Sequence, residues 1–193
     1  MKPLEMYAEH FCKKIVTSNE YFNNGVHRNS DLLFPTIKTK AEEICSEVND
    51  LHIFETYRSN VRQLQLYNNG SSKIKQFGMH FYGIAVDLVF RDIHGWTWDG
   101  DYKTVRRKYK ERGLIVLGSW DMAHAQMITV IQQSNLRNTV RKTVMDYQAQ
   151  CGLRADGDAG IKTQQAFRKL FNEPAIAIDG IDIKNPNSNK AIC

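Results

Sequence analysis

The sequence has no apolar run of the roughly 18 residues or more that a membrane-spanning helix requires, so insertion into a bilayer is not expected. It has no Cys-x-x-Cys pair. Its four cysteines, Cys12, Cys45, Cys151 and Cys193, are scattered along the chain. That spacing argues against a disulfide framework and against a structural zinc site built from thiolates. Cys12 and Cys45 fall in apolar helical patterns, where a thiol behaves as a small hydrophobe. Residues 1–20 interleave Glu5, His10, Lys13 and Lys14 with apolar positions, so they lack the continuous apolar core of a secretion signal. The chain is therefore expected to be made in the cytoplasm without a signal peptide, and to need separate release if it acts outside. No long internal repeat is visible.

What is present suits a folded protein. With 193 residues, 42% hydrophobic and 24% charged, the chain can build one domain with a core, plus a small appendage. The formal charge of +5 suits an anionic partner without choosing between nucleic acid, membrane surface and cell-wall polymer. Much of the excess lies at Lys103, Arg106, Arg107, Lys108, Lys110 and Arg112, where a solvated helix face is favoured over a binding patch.

The periodicity predicts helices through Leu4, Ala8, Phe11, Cys12 and Ile15, and from Pro35 through Ile37, Ala41, Ile44, Cys45 and Val48. A strand is expected over 51–56, a short helix capped by Ser59 and reaching Tyr67, and a loop over 68–72. Residues 84–90 read as a strand, and Trp96, Trp98 and Gly100 as a turn with exposed aromatics. The basic stretch reads as a helix ending at Gly113, followed by a short strand over 114–117. From Gln126 onward the pattern is helical. Strands mixed with helices, then helices alone, predict an α+β fold: a small antiparallel sheet with helices, then a short helical module.

The informative segment runs from Gly78 to Asp87. Asp87 interrupts a strand of Ile, Ala, Val, Leu and Phe, where a carboxylate is costly unless it is paired or bound to a metal. His80 precedes it across a glycine turn, and a second segment, Trp120 to His124, supplies another histidine. Zinc accepts imidazole and carboxylate together, and a catalytic zinc keeps three protein ligands. On this reading His80, Asp87 and His124 are the ligands, and Asp121 takes a proton from the attacking water and returns it to the leaving amine. On spacing alone, a His–Asp pair beside a glycine turn is more often a structural hydrogen-bonded pair. His10 and His52 sit in apolar patterns and are expected in the core or at its boundary. His27 and His94 are expected in loops, and none of the four carries a motif.

Across 55–126 the sequence resembles the D-alanyl-D-alanine carboxypeptidase and L-alanyl-D-glutamate endopeptidase family, which includes phage endolysins. The resemblance is carried by Tyr57-Arg58-Ser59, Gln63, Leu66-Tyr67 and Gly70, then His80, Gly83, Ala85 and Asp87, and finally Asp121 and His124. It implies zinc on His80, Asp87 and His124, Asp121 as the base, and Arg58 holding a substrate carboxylate or the developing oxyanion. The alternative for Arg58 is a structural arginine, and Gln63 is expected to lie behind the ligands. One departure is Gly78, where the family often has serine.

Residues 137–171 resemble a helical peptidoglycan-binding module, through Tyr147-Gln148, Gly152-Leu153, Asp156-Gly157, Gly160, Thr163 and Ala166. Val140, Val144, Tyr147 and Cys151 form one apolar helix face. The alternative is a plain helix-turn-helix packed on the first domain.

The organisation expected is a zinc peptidase domain over 1–130, a peptidoglycan-binding-like module over 136–172 and a tail over 173–193. The function expected is cleavage of peptidoglycan stems, first as an L-alanyl-D-glutamate endopeptidase of the endolysin type. The alternatives are a D-alanyl-D-alanine carboxypeptidase, a non-catalytic wall-binding protein, or a basic nucleic-acid-binding domain, which would leave the His–Asp–His set unexplained. The partner expected is peptidoglycan, with no nucleic acid and no membrane insertion, and the chain is expected to be a monomer.

Overall fold

A computed structural model describes residues 2–171, and the tail from 173 lies outside them. The fold is α+β: six α-helices and a small, open antiparallel sheet. In chain order the elements are α1 (Pro3–His10), α2 (Pro35–Glu47), β1 (Leu51–Glu55), α3 (Asn60–Asn68), β2 (Ala85–Asp92), β3 (Gly95–Thr97), α4 (Tyr102–Glu111), β4 (Ile115–Val116), β5 (His124–Gln126), α5 (Gln133–Gln150) and α6 (Ile161–Leu170).

The helices begin where their sequences allow. Pro3 and Pro35 sit in the first turns of α1 and α2, where a missing N–H costs nothing. Ser59 caps α3 by accepting from the Arg62 N–H, and Asp101 caps α4 by accepting from the Thr104 N–H. α1 continues into a wider turn over Phe11–Ile15, and Phe11, Cys12 and Ile15 enter the core. α2 buries Ile37, Ala41 and Ile44 on one face.

β2 is the centre of the sheet. β1 pairs along one side of it, while β5 and β3 share the other side end to end. β5 takes Ala85 to Asp87, β3 takes Phe90 to Asp92, and β4 pairs with the outer side of β5. Covered on both faces, β2 tolerates a nearly unbroken apolar run from Ala85 to Val89. The register shifts between Ile53 and Glu55, placing Glu55 opposite Asp87, and on the far side Asp87 is opposite His124. Residues directly opposite in an antiparallel pair project to the same face. Glu55, Asp87 and His124 therefore form one row across three strands.

Several sequence expectations need correction. Trp96 belongs to strand β3, not a turn: its ring is half-buried, edge-on to Phe54 at 5.1 Å and beneath the Arg28 guanidinium at 4.9 Å. Gln126 ends strand β5, and the long helix begins only at Gln133. Pairing with β2 outweighs the helical pattern there. His52 is exposed on the edge strand β1, whereas His27 is buried at 7%, in a loop whose carbonyl receives the Thr56 N–H and hydroxyl.

The last two helices pack on the N-terminal one. Leu136, Val140, Val144 and Phe167 share a continuous core with Phe11 and Ile15. Gln164 donates to the Ser18 carbonyl and Arg168 to the Asn19 side chain. Within this pair, buried Gln148 organises the turn. Its Nε2 donates to Asp156, to the Asp158 carbonyl and to Thr163, while its Oε1 accepts from the Gly157 N–H. The Gln, Asp-Gly and Thr residues of the sequence pattern thus hold the turn together.

Half of the basic cluster on and after α4 is ion-paired. Lys108 and Arg112 pair with Glu43 and Glu47 of α2, and Arg107 pairs with Glu111. Among the described residues, Cys12, Cys45 and Cys151 are free thiols. No helix among them is long and apolar enough to cross a membrane.

Candidate metal centre

His80 sits in a single turn of 3-10 helix, Met79–Tyr82, that ends at Gly83 in the left-handed region at φ +67°. Gly83 is required twice over: its backbone angle disfavours a side chain, and a Cβ there would lie 2.3 Å from the Leu32 carbonyl oxygen. The turn projects His80 toward Asp87 in β2, and β5 brings in His124. All three side chains are buried, at 3%, 8% and 7% exposure respectively.

Their ligating atoms converge. His80 Nε2 lies 3.1 Å from Asp87 Oδ1 and 3.2 Å from His124 Nδ1, and His124 Nδ1 lies 3.0 Å from Asp87 Oδ1. Tetrahedral zinc with bonds of about 2.0–2.1 Å places its ligand atoms roughly 3.3 Å apart, so the triangle is already close to size.

The outer contacts decide which atoms face inward. His80 Nδ1 is 3.1 Å from the Thr56 carbonyl, which can only accept, so Nδ1 carries the proton and Nε2 offers its lone pair. His124 Nε2 is 3.1 Å from Gln126 Oε1, and that amide is oriented by donating its own N–H to the Ile128 carbonyl. His124 Nε2 is therefore the donor, and Nδ1 faces Asp87 and His80. Two lone pairs and a carboxylate oxygen pointing at one another repel unless a cation or a proton sits among them. This set fits a divalent metal, with each histidine oriented by a partner on its outer nitrogen. The same three residues are the cluster able to hold a metal ion among the described residues.

Electrostatics agree. Burial would raise the Asp87 carboxyl, but His80 and His124 outweigh it and hold it well below the ordinary carboxylate range. Burial lowers the His124 imidazole, and the Asp87 carboxylate reverses the sign, so its affinity for a proton is raised. A metal ion entering the triangle competes with that proton.

Arg58 is largely buried and fully engaged. Its guanidinium donates to Glu55 through both Nε and Nη2, to Asp87 Oδ2 at 3.1 Å through Nη2, and to Gln63 Oε1 at 3.2 Å through Nη1. It therefore holds the carboxylate oxygen of Asp87 that does not face the histidines. Glu55, 1% exposed, takes Arg58 on one oxygen and Arg62 on the other. Gln63 in turn donates to Ser72 and to the Ile74 carbonyl, fastening the following loop. Gly78 leaves room for it, since a Cβ there would lie 3.2 Å from Gln63 Oε1.

Asp121 lies in the loop between β4 and β5, partly buried, and burial is the largest influence raising its carboxyl. Arg106 pins this loop by donating to the carbonyls of Leu117, Gly118 and Asp121. Tyr109 donates to the Ala123 carbonyl at 2.7 Å and fixes the approach to His124. Trp120, 67% exposed, stands beside the Lys73 ammonium, 5.7 Å from the ring centroid.

Sequence reasoning missed Glu55 and Arg106. Glu55 carries the signal that singled out Asp87, a carboxylate inside an apolar strand. Arg106 is indistinguishable by sequence from its basic neighbours.

No protein-family model matches the chain, and no curated protein matches it. Among solved structures it is distantly similar to the L-Ala D-Glu endopeptidase ChiX of Serratia marcescens, at 23% sequence identity and a TM-score of 0.43. The match covers 57% of this chain and 94% of that one.

Proposed function

We propose that this chain is a zinc-dependent peptidase that cuts the peptide stem of peptidoglycan, acting as an L-alanyl-D-glutamate endopeptidase of the endolysin type. The observation that carries the reading is the convergence of three buried acceptor atoms with both imidazole tautomers fixed from outside. The substrate rests on the motif resemblance across 55–126 and on the wall-binding pattern across 137–171.

Zinc held by His80, Asp87 and His124 would supply an acidified water as nucleophile and a polarised scissile carbonyl. The protein's own groups do the rest. Asp121, with its carboxyl raised by burial, accepts a proton from the attacking water and delivers it to the leaving amine nitrogen. Arg58 holds Asp87 in place, and the Glu55 carboxylate holds Arg58. Arg106 keeps the Asp121 loop in register with the ligands. Engaged with two carboxylates and an amide, Arg58 serves the metal ligand more directly than it could serve a substrate carboxylate.

Digestion of purified peptidoglycan followed by mass spectrometry tests the reading. The expected products are free peptides beginning with D-glutamate and glycan strands that retain L-alanine. Free D-alanine as the sole product would instead establish a carboxypeptidase. No product in the presence of zinc, together with retention on the wall, would establish a wall-binding protein without catalysis. Elemental analysis should find about one zinc per chain.

A further inference from the structure

The face of the sheet that carries the metal ligands continues past them. Side chains alternate along a strand, so Asp87, Val89 and Arg91 of β2 project to one face. Asp87 lies in the row between Glu55 and His124, and further along Arg91 lies opposite Trp96. Phe54, at the register shift of β1, is edge-on to Trp96 at 5.1 Å and to Trp98 at 5.5 Å. The three rings form an aromatic layer, and two arginines, Arg28 and Arg91, lie against it. We propose that this arginine pair binds a carboxylate of the stem peptide on the far side of the cut bond from the sugar. The inference rests on the peptidase reading above and names which group of that substrate this face holds.

The two guanidiniums share one ring. Arg28 lies 4.9 Å and Arg91 lies 5.7 Å from the Trp96 centroid, and Arg28 is also 5.1 Å from the Phe54 centroid. Stacking holds a guanidinium by its face and leaves its in-plane N–H donors free for a carboxylate. Both residues are exposed, and among the described residues neither side chain donates a hydrogen bond or makes an ion pair. Two cations held on one indole repel each other, and a carboxylate between them relieves that repulsion. Elsewhere in the chain Arg58, Arg62, Arg107, Lys108 and Arg112 each meet a carboxylate of the protein itself. Arg58 is engaged with Glu55 and Asp87, so a carboxylate of the substrate needs another cation.

Thr56 ties the arginine pair to the metal centre. Its N–H and hydroxyl both donate to the carbonyl of His27, the residue before Arg28. Its own carbonyl accepts from His80 Nδ1. One residue thus orients a metal ligand and anchors the loop that carries Arg28. The spacing suits a peptide. Arg91 follows Asp87 by four residues, about 13–14 Å along an antiparallel strand. An extended peptide covers roughly that span in four residues. The peptide released by the proposed cut begins with D-glutamate, so its carboxylates lie on the side of the bond that leads away from the sugar.

The test compares the full-length, zinc-loaded protein with its Arg28→Gln, Arg91→Gln double variant. Both side chains are on the surface, so the fold is retained, as a melting curve will verify. Calorimetry with the product peptide, which begins at D-glutamate and has no bond left to cut, reads binding apart from turnover. The double variant should bind that peptide about tenfold or more weakly. On the intact stem peptide the loss should fall on KM, with the zinc content unchanged. Two further peptides, one amidated at its terminal carboxylate and one at its internal carboxylates, identify the group bound, because the loss should vanish with one of them. The inference is overturned if the folded double variant binds the product peptide unchanged, or if the loss persists with both amidated peptides. Hydrolysis of the stem peptide by the unmodified protein separates the two readings. Cleavage with binding indifferent to the arginines removes this site alone, whereas arginine-dependent binding without cleavage removes the peptidase and leaves the carboxylate site.

Discussion

At the scale of the residue, the decisive feature is how far the Asp87 carboxylate is constrained. One oxygen faces two histidines, the other takes Arg58, and Arg58 is held by Glu55. Partners of this kind behind a metal ligand typically contribute roughly 10–100-fold in metal affinity. Glu55 reaches Asp87 only through Arg58, so Glu55→Gln should weaken zinc binding by at most a factor in that range, read by competition with a chelating dye and independently of turnover. Unchanged affinity in a folded Glu55→Gln protein would reduce the residue to a brace for Arg58 and Arg62. Asp121 makes the complementary case, because it raises no claim as a ligand. Asp121→Ala should keep its zinc while turnover falls by roughly a hundredfold or more. Loss of the metal in that variant would move Asp121 into the ligand set.

At the scale of the element, two short pieces of backbone set the site. The first is the 3-10 turn ending at Gly83, whose φ of +67° and approach to the Leu32 carbonyl exclude a side chain. Gly83→Ala should cost more than about 1 kcal/mol of stability. The melting temperature falls by roughly 2–4 °C for each kcal/mol in a protein of this size, so calorimetry can read the change. No change in melting would mean that the turn relaxes without the Leu32 contact. The second piece is the register shift in β1, which sets Glu55 opposite Asp87. Without that shift the alternation of the strand would carry Glu55 to the other face, and Arg58 would lose its anchor.

At the scale of the whole molecule, the helical pair at the C-terminal end of the described residues is part of the core. Leu136, Val140, Val144 and Phe167 are buried with Phe11 and Ile15. Losing several such side chains, at about 2–5 kcal/mol each, exceeds the stability margin of a typical domain. A chain cut after Arg137 should accordingly show no cooperative melt by circular dichroism. A cooperative melt would mean that the first part folds alone. We therefore propose testing wall binding by the 136–172 segment with exposed substitutions in the intact chain. Metal should act on the same global equilibrium. Free zinc at about a hundred times its dissociation constant should add about 2.7 kcal/mol of stability, and EDTA should reverse the gain. A melting temperature indifferent to both would remove the metal site.

The sequence by itself determined what depends on neighbours along the chain. Helix starts at Pro3, Pro35 and Ser59 follow from local capping and backbone angles, and the cost of a carboxylate amid Ala, Val and Leu singles out Asp87. The tertiary structure decided what depends on register and long-range pairing. His124 faces Asp87 because β5 pairs with β2, and Gln126 becomes strand for the same reason, against its helical pattern. Arg58 turns toward Asp87 and Glu55 because the β1 register shift puts both carboxylates on one face. His27, with no motif, is buried where its loop is tied to Thr56 and its ring packs on Tyr57. A side chain's role in this site is set by which face of a strand it occupies and by which residue lies across from it. A one-residue slip in pairing changes both while leaving the sequence unaltered.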